Sequence, residues 1–399
     1  MSLDLTKIAA QVGVMIERLR ASLSQQQERV RGALETLHEE SADPEALRKK
    51  IEASKTTWLV AGIVDGLNEH LSPRPLPTDF TVIATDGSHI AVDRHRAARC
   101  FLLNISHVLL RYGSETDAVL ESVPRLYAED KDMVITPPDG QGREQFVDGT
   151  LLGAKRSVEE CRHLADMAVS LPSGSSALAL LDGTLTLWGL EPYPDFVTEA
   201  LLDKGMLREL DRIWRTGQNK KLALASYISA TRSTDVVNTL RVAVCPHEAA
   251  NCDKYCPPTG KRDCDALAGL VDSQLFINLL APGERSAIFA SRSKVVKEHY
   301  ADHAIHFFYL RVDDEIARVE MPQWAARDKE LVGLTHSLVL DQCKRGDGYP
   351  VALSEAHEQA VVTGADRENF WQLVEEGLVE EGLPTPTTGK DRSKRTRGV

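Results

Sequence analysis

Two runs of apolar residues constrain this chain more than anything else in it. IATDGSHI spans Ile83 to Ile90, and LALLDGTLTL spans Leu178 to Leu187. A run without polar alternation suits a strand buried on both faces, and such strands belong to sheets covered by helices. Both runs then stop on Asp-Gly followed by a small hydroxyl residue, at Asp86-Gly87-Ser88 and Asp182-Gly183-Thr184. The end of a buried strand is the first place where a carboxylate reaches solvent, and ligands of open α/β sheets gather beyond strand ends. A glycine there lets the backbone turn and a ligand approach. If the two strands are neighbours, Asp86 and Asp182 face each other across a small gap. Two ionised carboxylates at that range repel unless a cation sits between them. The alternative is two ordinary hairpin turns, for which Asp-Gly is a common pair.

The rest of the chain alternates in texture. Cys100–Arg111, Leu222–Ile228 and Ile305–Val312 read as further strands, whereas Thr150–Leu171, Phe196–Trp214, Glu355–Val362 and Phe370–Val379 read as helices. Strands interleaved with helices predict an α/β fold. Ahead of this, residues 1 to about 71 predict helices. Ile8, Val12, Met15, Ile16 and Leu19 recur at helical spacing, as do Val30, Leu34 and Leu37. Asp43 and Pro44 then form a cap and first helical position, and a third helix is expected from Trp58 through Leu67. The Pro-rich stretch Leu71–Pro77 is a linker or extended entry. The expected division is an N-terminal helical region over 1–75, a main domain over 76–380 and a disordered basic tail over 381–399.

Charge and composition exclude some functions. No stretch reaches about 18 uncharged apolar residues, so no membrane-spanning helix is expected. The N-terminus does not read as a signal peptide, which points to the cytoplasm. A net charge of -12 argues against a general nucleic-acid coat. It leaves room for an enzyme acting on nucleic acid, since catalytic carboxylates add negative charge that bound metal ions offset. No Gly-x4-Gly-Lys-Ser/Thr loop is present, which weighs against a small-molecule phosphohydrolase.

Two further residues join the aspartates as candidates. On the helix Thr150–Leu171, Glu160 falls at the border of the face marked by Val158, Cys161, Leu164, Ala165 and Ala168, whereas Glu159 points away from it. Glu160 is the better placed for a half-buried metal site; either glutamate also suits a plain surface charge. In GYPVALSEAHEQA, Gly348–Ala360, Ser354 looks like a helix cap, which puts His357 at the third helical position. The positive end of the helix there disfavours imidazolium and leaves a neutral ring, as a metal ligand or proton acceptor requires. A structural histidine is the alternative. Tyr349 is a packing residue or a phosphate contact, and Ser88 a candidate substrate contact.

Taken in order, TDGSH, RSVEE, LLDGTL, SYISATRS (Ser226–Ser233), RVEMP (Arg318–Pro322) and GYPVALSEAHEQAVV resemble the NurA nuclease family over roughly Asp79 to Trp371. The resemblance implies an RNase H-like mixed sheet flanked by helices and Mn²⁺ or Mg²⁺ as cofactor. It implies 5′–3′ exonuclease and single-strand endonuclease activity on DNA, hence a part in DNA end resection and repair. As partners it implies a homodimer docked on a HerA-type hexameric ATPase. It places metal-binding acids on Asp86, Glu160 (or Glu159) and Asp182, and a late histidine on His357. Asp86 is then the expected bridging ligand of a two-metal arrangement. Where the family often carries lysine, this chain has Arg232, which can clamp a phosphate at two points. The competing reading is a catalytically weak adaptor of the same fold that binds DNA or a ring ATPase.

Seven cysteines complete the inventory. Cys100, Cys161 and Cys343 stand alone, while Cys245, Cys252, Cys256 and Cys264 crowd into an insertion of about 245–269. Their spacing, Cys-x6-Cys-x3-Cys-x7-Cys, lacks the paired Cys-x2-Cys of a zinc ribbon. Structural zinc, an iron–sulfur cluster, reversible disulfides or no metal all remain open, with His247 able to replace one thiol. His299, His303 and His306 predict no site.

Overall fold

A computed structural model describes residues 4–96, 98–138, 140, 142–256 and 260–384. The basic tail lies outside them from residue 385 onward. The chain forms two compact units, neither continuous in sequence. The first takes Met1–Pro73, Ser229–Ser293 and His306–Val319; the second takes Arg74–Ile228, Lys294–Ile305 and Glu320–Val399.

In the first unit, helix α1 (Leu5–Glu40) runs for 36 residues, about 54 Å at helical rise. Only its C-terminal half packs: Ala33 and Leu37 are buried, with Val30 and Leu34 partly so. Helix α2 (Pro44–Ala53) starts as expected, with Pro44 in the first turn and the Asp43 carboxylate accepting from the Ala46 amide. The expected third helix over Trp58–Leu67 does not form. Gly62–Ile63 instead pairs antiparallel with Phe289–Ala290. The Arg48 guanidinium takes the carbonyls of Ile63, Val64 and Asp65, three groups that a helix would need for its own ladder. Val60, Ala61, Ile63 and Leu67 are buried all the same, so the apolar spacing was a core signal without being a helical one.

The second unit holds the two apolar runs. Strands β1 (Phe80–Thr85), β3 (Phe101–Tyr112), β4 (Asp117–Tyr127), β5 (Ser176–Asp182) and β6 (Lys221–Ile228) lie in the order β4-β3-β1-β5-β6, and the short β2 (Gly87–Ile90) also pairs with β3. The pairs β4–β3 and β3–β1 are antiparallel, and β1–β5 and β5–β6 are parallel. Three antiparallel strands followed by two parallel ones make the RNase H-like mixed sheet expected. Every residue of β1 is buried, as are Ala177–Leu181 of β5. Helix α3 (Gly149–Ser170) covers one face, with Leu151, Cys161, Leu164 and Ala165 in one cluster with Ile83, Ala179 and Leu181. The expected helix Phe196–Trp214 forms with a wide π turn over Glu199–Met206 before α4 (Leu207–Gly217). Helices α5 (Lys329–Arg345) and α6 (Val351–Ala360) contact β5 and the neighbouring strands, and α7 (Gly364–Glu380) follows. No helix among the described residues is long and apolar enough to cross a membrane.

Candidate active site

The two strands are neighbours. Thr85 of β1 is the register partner of Leu181 of β5, so Asp86 and Asp182 are the next residues on adjacent parallel strands. They leave the sheet differently. After Asp182 the chain turns away, with Gly183 at φ +82°. After Asp86 it continues straight into β2, and both β1 and β2 follow one unbroken register along β3. Gly87 is therefore a strand residue, and the sharp turn expected there is absent. Its lack of a side chain has another use: a Cβ at position 87 would lie 2.6 Å from Glu160 Oε1 and 3.0 Å from Arg156 Cγ. The backbone at Asp86 is held by its amide donating to the Ser106 hydroxyl, and by the Ser106 amide donating to its carbonyl, both at 2.9 Å.

Glu160 reaches this point from α3. It is 8% exposed, and the Thr85 hydroxyl donates to its carbonyl at 3.0 Å, tying helix to strand one residue before Asp86. Arg156, one turn earlier, brings Nε to 3.0 Å from Glu160 Oε1. The two buried atoms form an ion pair, and neither has a further hydrogen-bond partner. Burial pushes the Glu160 carboxyl up to about 7; the Arg156 charge opposes, and the charges of Asp86 and Asp182 add to the rise. Glu159 is taken by Arg162 at 2.7 Å.

Asp182 is raised as well, by desolvation first, against the Tyr349 hydroxyl that donates to it, and then by the charge of Asp86. Tyr349 sits in the turn between α5 and α6, and its ring meets Tyr227 edge-on at 5.5 Å. His357 Nδ1 lies 3.0 Å from Asp86 Oδ2. The helix carrying it begins at Val351 after Pro350, so Ser354 is an interior residue and does not cap it. His357 is in the last turn, near the negative end of the helix and not at the positive end expected from the sequence. With Pro350 immediately before it, the helix starts at Val351, four residues before the start that a Ser354 cap would give. The Ser88 hydroxyl donates to the Ala360 carbonyl, and the Asn104 amide donates to the same oxygen at 3.0 Å. Ser88 thus helps to seat the end of α6.

Sequence reasoning missed three supports. Arg156 is one, although an arginine four residues before a buried glutamate is a legible helical pair. Glu320 is another: Oε2 accepts from the Thr184 hydroxyl at 2.8 Å and from the Leu185 amide at 3.0 Å. Tyr300 is the third, accepting from the Leu187 amide and donating to the Leu185 carbonyl. Together they clamp the chain just past Asp182. Arg232 is exposed and belongs to the first unit, as do the four clustered cysteines.

Three carboxylates and an imidazole suit a hard or borderline divalent cation in their chemistry. Burial raises both Glu160 and Asp182, and neighbouring carboxylate charge adds to each rise; a cation placed among them would relieve both. The side chains are not drawn into a finished cage: among the described residues, no group of three or more His, Cys, Asp or Glu is set to receive an ion.

A family model described as the NurA domain matches residues 80–362, which include every residue of this cluster. No curated protein matches the chain.

Proposed function

The chain belongs to the NurA family, a family of nucleases, and on that premise we propose that it is a metal-dependent DNA nuclease whose site is Asp86, Glu160, Asp182, Tyr349 and His357. The observation that carries the reading is the register of β1 and β5, which sets two aspartates side by side with a third, buried carboxyl against them. Bound Mn²⁺ or Mg²⁺ supplies activation of the attacking water and neutralisation of charge at the phosphate. The protein's part is positional. Asp86, Asp182 and Glu160 offer oxygen ligands from rigid elements. The Tyr349 hydroxyl fixes one oxygen of Asp182. His357 steers Asp86 through Nδ1, leaving its other ring nitrogen for a metal or a water. Arg156 keeps Glu160 compensated when no cation is present.

Family membership also supports the finer reading: 5′–3′ exonuclease and single-strand endonuclease action in DNA end processing, by a homodimer that works with a HerA-type hexameric ATPase in the cytoplasm. A two-fold dimer would aim two sites into one channel. The exposed apolar side chains along α1, among them Val12, Met15, Leu19 and Leu23, are a surface for that pairing.

End-labelled single- and double-stranded DNA, with and without Mn²⁺, tests the activity. Asp86→Asn and Asp182→Asn keep shape and remove charge, so each abolishes metal-dependent cleavage while circular dichroism is unchanged. His357→Ala retains part of the activity. Cleavage by Asp86→Asn at the wild-type rate with Mn²⁺ present would refute the site.

A further inference from the structure

The four clustered cysteines serve none of this chemistry, and they lie in a stretch of the first unit with little regular structure. Among the described residues from Cys245 to Cys264 the regular structure is one helical turn, Cys252–Tyr255, and the start of a short 3₁₀ turn, Asp263–Leu267. Among the described residues of that stretch only Ala250 and Cys264 are buried. A polar loop of this length loses conformational entropy on ordering and has little apolar burial to offset it. The segment is nonetheless fastened at several points. The Lys55 amide donates to the Ala250 carbonyl at 2.7 Å, and the Cys252 amide to the Lys55 carbonyl at 3.1 Å. Lys50 Nζ binds the Cys245 carbonyl at 2.7 Å.

Two of the cysteine-bearing stretches are thus tied to the C-terminal end of α2, Cys245 through Lys50 and Cys252 through Lys55. Cys252 and Cys256 are four residues apart on one turn, with the Cys256 amide donating to the Cys252 carbonyl at 3.1 Å, so their side chains share a face. Cys245 lies just past the helix Asp235–Ala243, after its cap Val244. Arg241 of that helix reaches Cys264, with Nη2 3.9 Å from its Sγ and Nε 3.3 Å from its carbonyl. All four are free thiols.

We propose that Cys245, Cys252, Cys256 and Cys264 bind one zinc ion as a closed tetrathiolate that staples this segment to the helix Asp235–Ala243. Four ionised thiolates repel one another as the carboxylates do, and a divalent cation removes that penalty while each thiol gives up its proton. The resulting group is dianionic. Arg241 is already in place to offset it, held by the Asn238 side chain at 3.1 Å and by the face of Trp58 at 4.3 Å. Such an outer partner fixes and tunes a metal site. The thiols do not form a finished cage among the described residues, so binding turns their side chains inward. His247 is not a ligand: its ring stacks on Tyr255 at 4.0 Å.

The test is elemental analysis of the full-length protein, purified under reductant without added metal, alongside Cys252→Ser, Cys256→Ser and His247→Ala. Wild type and His247→Ala carry about one zinc per chain, and each serine variant carries none. Exchange with Co²⁺ gives the strong sulfur-to-metal absorption of a tetrahedral tetrathiolate. Chelation of the wild type exposes four thiols to a colorimetric reagent and lowers the melting temperature. Zinc retained by both serine variants overturns the proposal, as does loss of zinc from His247→Ala. Iron with acid-labile sulfide, disulfide bonds, or a metal-free protein with four reactive thiols overturns it equally. None of these outcomes bears on the carboxylate site.

Discussion

At the scale of single residues, the same dipeptide has two physical causes. Gly183 follows Asp182 because φ is +82°, and nothing lies within 4 Å of where its Cβ would be. Gly87 follows Asp86 because the Glu160 carboxylate and Arg156 occupy that space. The two positions therefore fail in different ways. Gly183→Ala incurs backbone strain of about 1–2 kcal/mol, with the carboxylates left where they are. Gly87→Ala overpacks the site by about 1–3 kcal/mol and moves Glu160, so it loses most of the activity as well. Urea denaturation together with a cleavage assay separates them; equal loss of activity from both would contradict the assignment. Both aspartates were legible because a carboxylate at the end of a doubly buried strand is a local pattern. The role of Gly87 was not legible, since it depends on a helix 70 residues further on.

At the scale of elements, α3 matters most. It buries Leu151, Leu164, Ala165 and Ala168 against the sheet, and its stripe then carries Glu160 and Arg156 to the ends of β1 and β5. Glu160 titrates at about 7, above the ordinary carboxyl range. A raised acid contributes stability that is present at low pH and lost as pH rises, so metal-free wild type weakens from about pH 4.5 to about pH 7. Arg156→Ala removes the opposing charge and lifts Glu160 further. Its loss of stability then continues above pH 7, at up to about 1.4 kcal/mol per pH unit. Denaturation of both proteins between pH 6 and pH 9 without metal checks this; parallel curves would mean that Arg156 does not compensate Glu160. Elements with a clear apolar signature, such as β1, β5 and α3, could be read from the letters. The long strand β4 could not, since it is exposed over most of its length and shows no buried alternation. The start of α6 was misread because serine competes with Pro350 for the same boundary.

At the scale of the molecule, the fold class was legible and the grouping of segments was less so. Alternating apolar runs and amphipathic helices imply a covered sheet wherever they occur. Nothing local reveals that Ser229–Ser293 and His306–Val319 join the N-terminal helices in one unit. Half of α1 finds no partner within its unit, and its apolar side chains stay exposed. On the dimer proposal, light scattering of the 44.0 kDa chain at micromolar concentration gives twice that mass. Met15→Glu with Leu19→Glu shifts it to the monomer while circular dichroism holds. A full chain that is monomeric at every micromolar concentration rules the α1 surface out as a dimer contact.

The contact between Asp86 and His357 spans 271 residues, and that separation has a meaning in time. A ribosome adds about 5–20 residues per second, so roughly 14 to 54 s pass between the synthesis of the first carboxylate and that of the histidine. In the later part of that interval, once Asp182 and its strand have been made, the sheet can assemble with both aspartates in place, yet Tyr349, His357 and the helix seated by Ser88 and Asn104 have not been made. On the proposed reading, the growing chain has its carboxylates before the residues that steer them, so its activity stays below that of the finished protein until synthesis nears its end.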